Sequence, residues 1–292
     1  MTDEIKRSLT ESEIRDLVET AVAHFDDPDP EDDFALSPAC DAITTLQRNG
    51  DQSVFDVCSV LCRSANPRER SVGAAILGQL GYSLELLRDQ RFGLLKEMLE
   101  REMSGGADPE MLTEICFAFG HLKDPRGISA VVPLARHPFS SVRFAVVYAF
   151  SAQDDPVAIT WLIELSKDED PHVRDWATFA LGQEIEADNS EIRDALRARL
   201  TDVDVDTRLE AISGLARRKD KSVIDHIIAA LEAGEVGAVI YGAVTDLADP
   251  IFCMHLMGTK QSGQELPKVV AESHYLRSAW QAAVLACGCD AT

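Results

Sequence analysis

One stretch of this chain, Asp170-Pro171-His172-Val173-Arg174-Asp175-Trp176-Ala177-Thr178-Phe179-Ala180-Leu181-Gly182, is repeated elsewhere in altered form, and the repetition constrains the fold more than any other feature. Asn66-Pro67 leads through Arg70 to Leu77-Gly78, and Asp108-Pro109 leads to Phe119-Gly120. His137-Pro138 leads through Val142-Arg143 to Ala149-Phe150, and Asp206-Thr207-Arg208 leads through Ala211 to Gly214-Leu215. The arginines step by 31 residues from Arg143 to Arg174 and by 34 from Arg174 to Arg208. A period of about 30–45 residues without strand signals marks an α-solenoid, in which each unit buries its apolar face only against its neighbours.

Each unit reads as two helices. The Asp-Pro or Asn-Pro start of the second helix supplies a side-chain cap and a pre-set φ in the first turn. Val173, Ala177, Ala180 and Leu181 then share one face, and the small residues Ala177, Ala180 and Gly182 let a neighbouring helix approach closely. The first helices carry larger side chains: Ile159, Leu162, Ile163 and Leu165; Ile192, Leu196 and Leu200; Ile224, Ile227, Ile228 and Leu231. Turns such as Lys123-Asp124-Pro125 and Gln153-Asp154-Asp155-Pro156 separate the units.

The pattern Asp-Pro-x-Val-Arg-x-x-Ala-x-x-Ala-Leu-Gly resembles HEAT repeats of the bacterial, phycobilin-lyase-like kind, over about residues 50–288. His137-Pro138, Arg174 to Phe179 and Gly214 to Arg218 further resemble a bacterial subfamily of HEAT-repeat proteins without an established activity. The resemblance implies an all-α, right-handed α-solenoid, an α-α superhelix of stacked helix pairs, and says little about function. Leu112 stands where the pattern has arginine, and the units after residue 220 are looser, although Leu276-Arg277 keeps the Val-Arg step.

The 292 residues suit one solenoid, expected at residues 36–292 as a continuous stack, preceded by an N-terminal helix and acidic linker at residues 1–35. Thr10-Glu11-Ser12-Glu13 is a capping box that opens the first helix. Asp26 to Asp33 holds six acids and two prolines in eight residues and reads as a solvated linker. The formal net charge is −22, which repels nucleic acid and anionic membrane surfaces and suits a basic protein partner. No apolar run is long enough for a membrane span, and the acidic start lacks the apolar core of a signal peptide. Seven cysteines, an odd number, are expected to be reduced thiols in a bacterial cytoplasm.

The candidate contact residues are Arg143, Arg174, Asp175, Trp176, Arg208, Arg217 and Arg218, placed on the concave face by the second helices. Aromatic side chains beside arginine are the types that dominate binding hot spots. The repeated arginines, Arg70 among them, equally suit bidentate pairing with an acid of a neighbouring unit. Arg217 and Arg218 also suit a helix C-terminus. Trp176 and Phe179 equally suit packing between helices.

His121, His137 and His172 fall in expected turns without metal-ligand spacing, and there is no His-Glu-x-x-His or Cys-x-x-Cys motif, so neither metal nor cofactor is expected. The sequence resembles deoxyhypusine hydroxylase in fold only, because no histidine is followed by the glutamate that its metal centre requires. These features lead to the expectation of a non-enzymatic binding protein: a scaffold, adaptor or regulatory module whose partner is another protein. The alternatives are a HEAT-like enzyme, resembling a DNA glycosylase or a bilin lyase, and an immunity or antitoxin-type binder of a basic partner. The glycosylase reading rests on Asp175 and Trp176 and conflicts with the chain's charge.

Overall fold

The computed structural model describes residues 8–27, 37–106, 108–233, 237–261, 270 and 273–289, and no strand occurs among them. Contacts divide the chain into two compact units, Met1–Phe150 and Ser151–Thr292. The expected boundary at residue 35 and the acidic run from Pro28 onward lie outside the described residues.

In the first unit, α1 (Glu11–Ala23) packs on α2 (Pro38–Arg48). The pairs α3 (Gln52–Leu61) with α4 (Pro67–Gly78), α5 (Arg88–Gly105) with α6 (Pro109–Leu122), and α7 (Pro125–Val131) with α8 (Ser140–Phe150) follow. The capping box opens α1, with Thr10 accepting from the Glu13 N–H while Glu13 accepts from the Thr10 N–H. Helix α4 also touches α1 and α2, and α4, α6 and α8 pack in series.

In the second unit the pairs are α9 (Pro156–Leu165) with α10 (Pro171–Phe179), α11 (Ser190–Arg199) with α12 (Val205–Arg217), α13 (Ile224–Ala233) with α14 (Ala238–Leu247), and α15 (Cys253–Gln261) with α16 (His274–Ala286). Here α10, α12, α14 and α16 pack in series. A wide π-type turn, Ala180–Glu184, extends α10. Both units are thus stacked helix pairs, as the repeat period requires.

The repeated dipeptide works as anticipated. Asn66, Asp108, Asp155 and Asp170 cap helices whose first residue is proline, each accepting from an N–H two residues on. Val173, Ala177 and Leu181 on the second helices, with Leu162 and Leu196 on the first, are at most 1% exposed. Each large aliphatic side chain buried this way contributes roughly 1.5–3 kcal/mol. Close approach between α10 and α12 depends on glycine: a Cβ on Gly214 would lie 2.5 Å from the Gly182 Cα. Leu112, the departure from the arginine pattern, is simply buried.

Two expectations fail locally. His121 lies in the last turn of α6, which runs up to the Lys123 C-cap, and His172 lies in the first turn of α10, which starts directly after the Asp170 cap, so both are helical rather than in turns. The cysteines are not all reduced: Cys253, at the start of α15, and Cys289, just past α16, are 5.3 Å apart between Cα atoms and joined by a disulfide. No helix among the described residues is long and apolar enough to cross a membrane.

Candidate functional site

The repeated arginine has the same job in four places. Arg70, Arg143, Arg174 and Arg208 each donate from Nη1 to the carbonyl six residues earlier, on Ser64 (3.3 Å), His137 (2.9 Å), Asp168 (2.8 Å) and Asp202 (2.6 Å). The guanidinium reaches back past the capped first turn and closes the bend between the two helices of its pair. Arg174 and Arg70 also reach an acid of the next pair. Arg174 donates from Nε and Nη2 to the two carboxylate oxygens of Asp202, at 2.9 and 3.0 Å. Arg70 Nε lies 3.1 Å from Glu102. The Arg174–Asp202 pair is almost dry, at 10% and 6% side-chain exposure. A planar fork matches a carboxylate in this way and a lysine cannot.

Arg217 and Arg218 are also engaged within the fold. Arg218 donates to the carbonyls of Leu181 (2.8 Å), Gly182 (2.9 Å) and Ile185 (2.9 Å), satisfying the turn that ends α10. Arg217 donates to the Gln183 carbonyl at 2.5 Å and pairs with Glu186. Helix C-termini leave carbonyls without intrahelical donors, and these arginines meet that need from the next pair.

The first unit has an equivalent that sequence reasoning missed. Arg91 is wholly buried and donates to the carbonyls of Leu77 and Gly78 at the end of α4, both at 2.7 Å, and to that of Ser83 at 2.7 Å. Burial pushes its guanidinium down to about 10, so it remains charged at neutral pH. A signal was present: Arg91 shares a helix face with Leu94, Leu95 and Met98, where a solvent-exposed arginine would not sit.

Of the residues expected to make contacts, Arg143, Arg174, Arg208, Arg217 and Arg218 therefore spend hydrogen bonds on the protein's own turns and helix ends. Asp175 and Trp176 remain, and the structure brings further side chains to them. Trp176 is half-buried and meets Phe179 edge to face at 5.6 Å and His172 at 6.2 Å. From α12, Asp206 and Glu210 approach Asp175 closely enough to interact electrostatically. Burial, with Asp204 and Asp206 adding to it, pushes the Asp175 carboxyl up to about 6. Burial, then Asp175 and Asp206, push Glu210 up to about 7. Asp175 Oδ1 is shielded from solvent and has no hydrogen-bond donor. Gln183 and Ser213, joined at 2.7 Å, continue the same row between α10 and α12.

The first unit carries a comparable face. Glu114 on α6 is pushed up by burial and by Glu110, and it lines a cleft of about 430 Å³ with Arg68, Asp108 and Ser141. One turn further along α6, Phe117 meets Phe144 at 5.9 Å and Tyr148 at 5.3 Å. His121 lies 3.0 Å from the Tyr148 hydroxyl, and burial lowers its affinity for a proton. In both units, then, the face made by second helices combines half-buried carboxylates with aromatic edges. Such a face favours a positively charged group, which relieves the carboxylates and stacks on the rings.

Comparison with known proteins follows the same lines. The family described as HEAT repeats matches residues 94–182 and 160–248. Protein YibA of Escherichia coli strain K12 is 31% identical over 207 residues, which are 70% of this chain and 73% of YibA, and the O157:H7 protein of that name gives the same figures. The X-ray structure of YibA aligns with a TM-score of 0.65 at 24% identity, covering 96% of this chain and 98% of that one. An engineered protein aligns with a TM-score of 0.52 at 16% identity, covering 96% and 81%. The two structures share the fold.

Proposed function

The chain belongs to the HEAT-repeat family, and on that premise we propose that it is a non-enzymatic scaffold or adaptor that binds another protein, a basic one, along the face of its second helices. One observation carries the reading. The repeated arginines turn into the fold, which leaves Asp175, Trp176, Phe179, Asp206 and Glu210 as the chemistry that α10 and α12 present. A net charge of −22 draws a basic partner and raises its rate of encounter. The aromatic side chains supply the contact area that charge alone does not. This face lacks the basic lining that a duplex-binding glycosylase needs, which weighs against that reading.

The test is affinity capture from lysate of the source organism with three baits: the wild type, Trp176→Ala/Phe179→Ala, and Asp175→Asn/Glu210→Gln. The expected result is a basic protein retained by the wild type and lost by both variants, with far-UV circular dichroism unchanged. Retention by all three would place the binding surface elsewhere, and loss of an acidic protein would refute the charge argument.

A further inference from the structure

The disulfide at the end of the chain is a built feature that the binding face does not use. Cys253 begins α15 and Cys289 follows α16, so the bond staples the final helix pair together across 36 residues of sequence. Both cysteines are partly exposed, whereas Cys58, Cys62, Cys116 and Cys287 are buried. Burial raises the proton affinity of all four buried thiols, which makes them poor nucleophiles. A soluble thiol reagent therefore reaches the bonded pair and Cys40, and leaves the others alone.

The helix held by this bond rests on α14 and is otherwise largely exposed. Among the residues of α16 only Ala283 is buried, while Tyr275 and Leu285 are 70% and 82% exposed. Its tie to α15 includes one long hydrogen bond, from Trp280 Nε1 to the Leu256 carbonyl at 3.4 Å. Beneath it lies α14, whose Ile240, Tyr241, Ala243 and Val244 are at most 2% exposed and which packs directly on α16. The buried Cys287 thiol sits at the same place, 4.0 Å from the Val244 carbonyl.

We propose that Cys253–Cys289 is a thiol–disulfide exchange site, a latch whose reduction by a dithiol releases α16 and uncovers α14. In the exchange, one thiolate of the dithiol attacks a sulfur of the bond and forms a mixed disulfide. The other cysteine leaves as a thiolate and takes a proton from water. The second thiol of the reductant then attacks its own mixed sulfur and frees the remaining cysteine. Two electrons and two protons pass from the dithiol to the protein, and a disulfide-bonded reductant is released. A small-molecule disulfide such as oxidised glutathione reverses the change.

The experiment is hydrogen–deuterium exchange of the full chain, oxidised with glutathione disulfide or reduced with dithiothreitol, with alkylation and mass mapping to verify the state of each cysteine. Reduction is expected to speed exchange in residues 274–286 and 238–247 by nearly three orders of magnitude at most, on the loop-closure relation for a loop of about this length, and to leave 171–179 unchanged. Under reduction Cys287 becomes reactive together with Cys253 and Cys289. The Cys289→Ser variant, altered outside any helix, is expected to exchange fast in both conditions, and Cys287→Ser to behave as the wild type. Two results would overturn the proposal: unchanged exchange in 274–286 after verified reduction, or free thiols at positions 253 and 289 after treatment with glutathione disulfide.

Discussion

Replacing Arg174 by alanine separates the two roles that the repeated arginine could have. The side chain closes its own turn through the Asp168 carbonyl and grips both oxygens of Asp202, with both partners nearly dry. Removing one member of a buried pair costs about 3–5 kcal/mol, because the other is left charged without its partner. Asp202 keeps Arg199 at 3.1 Å and the Asp204 N–H at 3.0 Å, which points to the lower end, about 3 kcal/mol. At about 2–4 °C per kcal/mol, the midpoint of thermal unfolding falls by about 6–12 °C.

The pH dependence has a definite sign. Burial by itself would raise the Asp202 carboxyl; the hydrogen bonds from Arg174 and the Asp204 N–H, with the charges of Arg174 and Arg199, outweigh it and leave the group below its ordinary value. Its contribution is therefore complete above the unfolded carboxylate range, near 3.9, and is lost as pH falls through the lower folded value. The gap between wild type and Arg174→Ala narrows in strong acid. Differential scanning fluorimetry across pH, with Asp202→Ala and the double variant completing a cycle, reads the coupling directly. Arg174→Lys should recover only part of the loss, since an ammonium cannot bridge both oxygens. A shift under about 2 °C with partner binding abolished would refute the reasoning and return Arg174 to the binding face.

Three further outcomes follow from the packing and the charges. Gly214→Ala places a Cβ 2.5 Å from backbone and is expected to cost about 1–3 kcal/mol, more than Gly182→Ala, where the nearest atom is 3.1 Å away. Gly242→Ala, in α14 with open space around the added carbon, is expected to stabilise by about 0.5–1 kcal/mol in chemical denaturation. Asp175 and Glu210 are raised to about 6 and about 7, so their charged forms weaken the fold: stability falls as pH climbs from the unfolded carboxylate range through those values and then levels off. Asp175→Asn and Glu210→Gln should raise the unfolding midpoint at pH 8 and flatten its profile, and an unchanged profile would contradict the burial of these groups.

The sequence carried the repeat architecture because the cap, the proline, the small face and the period are local features that each helix states for itself. The capping box at Thr10, the Asn66 and Asp170 caps and the small residues of α10 could all be read that way. What arginine does within a repeat could not, because its fork reaches backbone carbonyls and carboxylates that only the folded turn brings into range. Asp202, 28 residues from Arg174, is such a partner. The acid pair between Asp175 and Glu210 was hidden for a similar reason: one residue lies on α10 and the other on α12, and only stacking makes them neighbours. The cysteine pairing depended on the placement of α15 and α16, which neither the odd cysteine count nor the spacing of Cys287 and Cys289 indicates.

The proposed binding face is tested most directly by hydrogen–deuterium exchange of the protein alone and with any partner that affinity capture identifies. The account predicts slowed exchange across 172–183 of α10 and its following turn and across 206–213 of α12, weakened as salt is raised. Protection confined to α9 and α11, or a complex indifferent to salt, would contradict it.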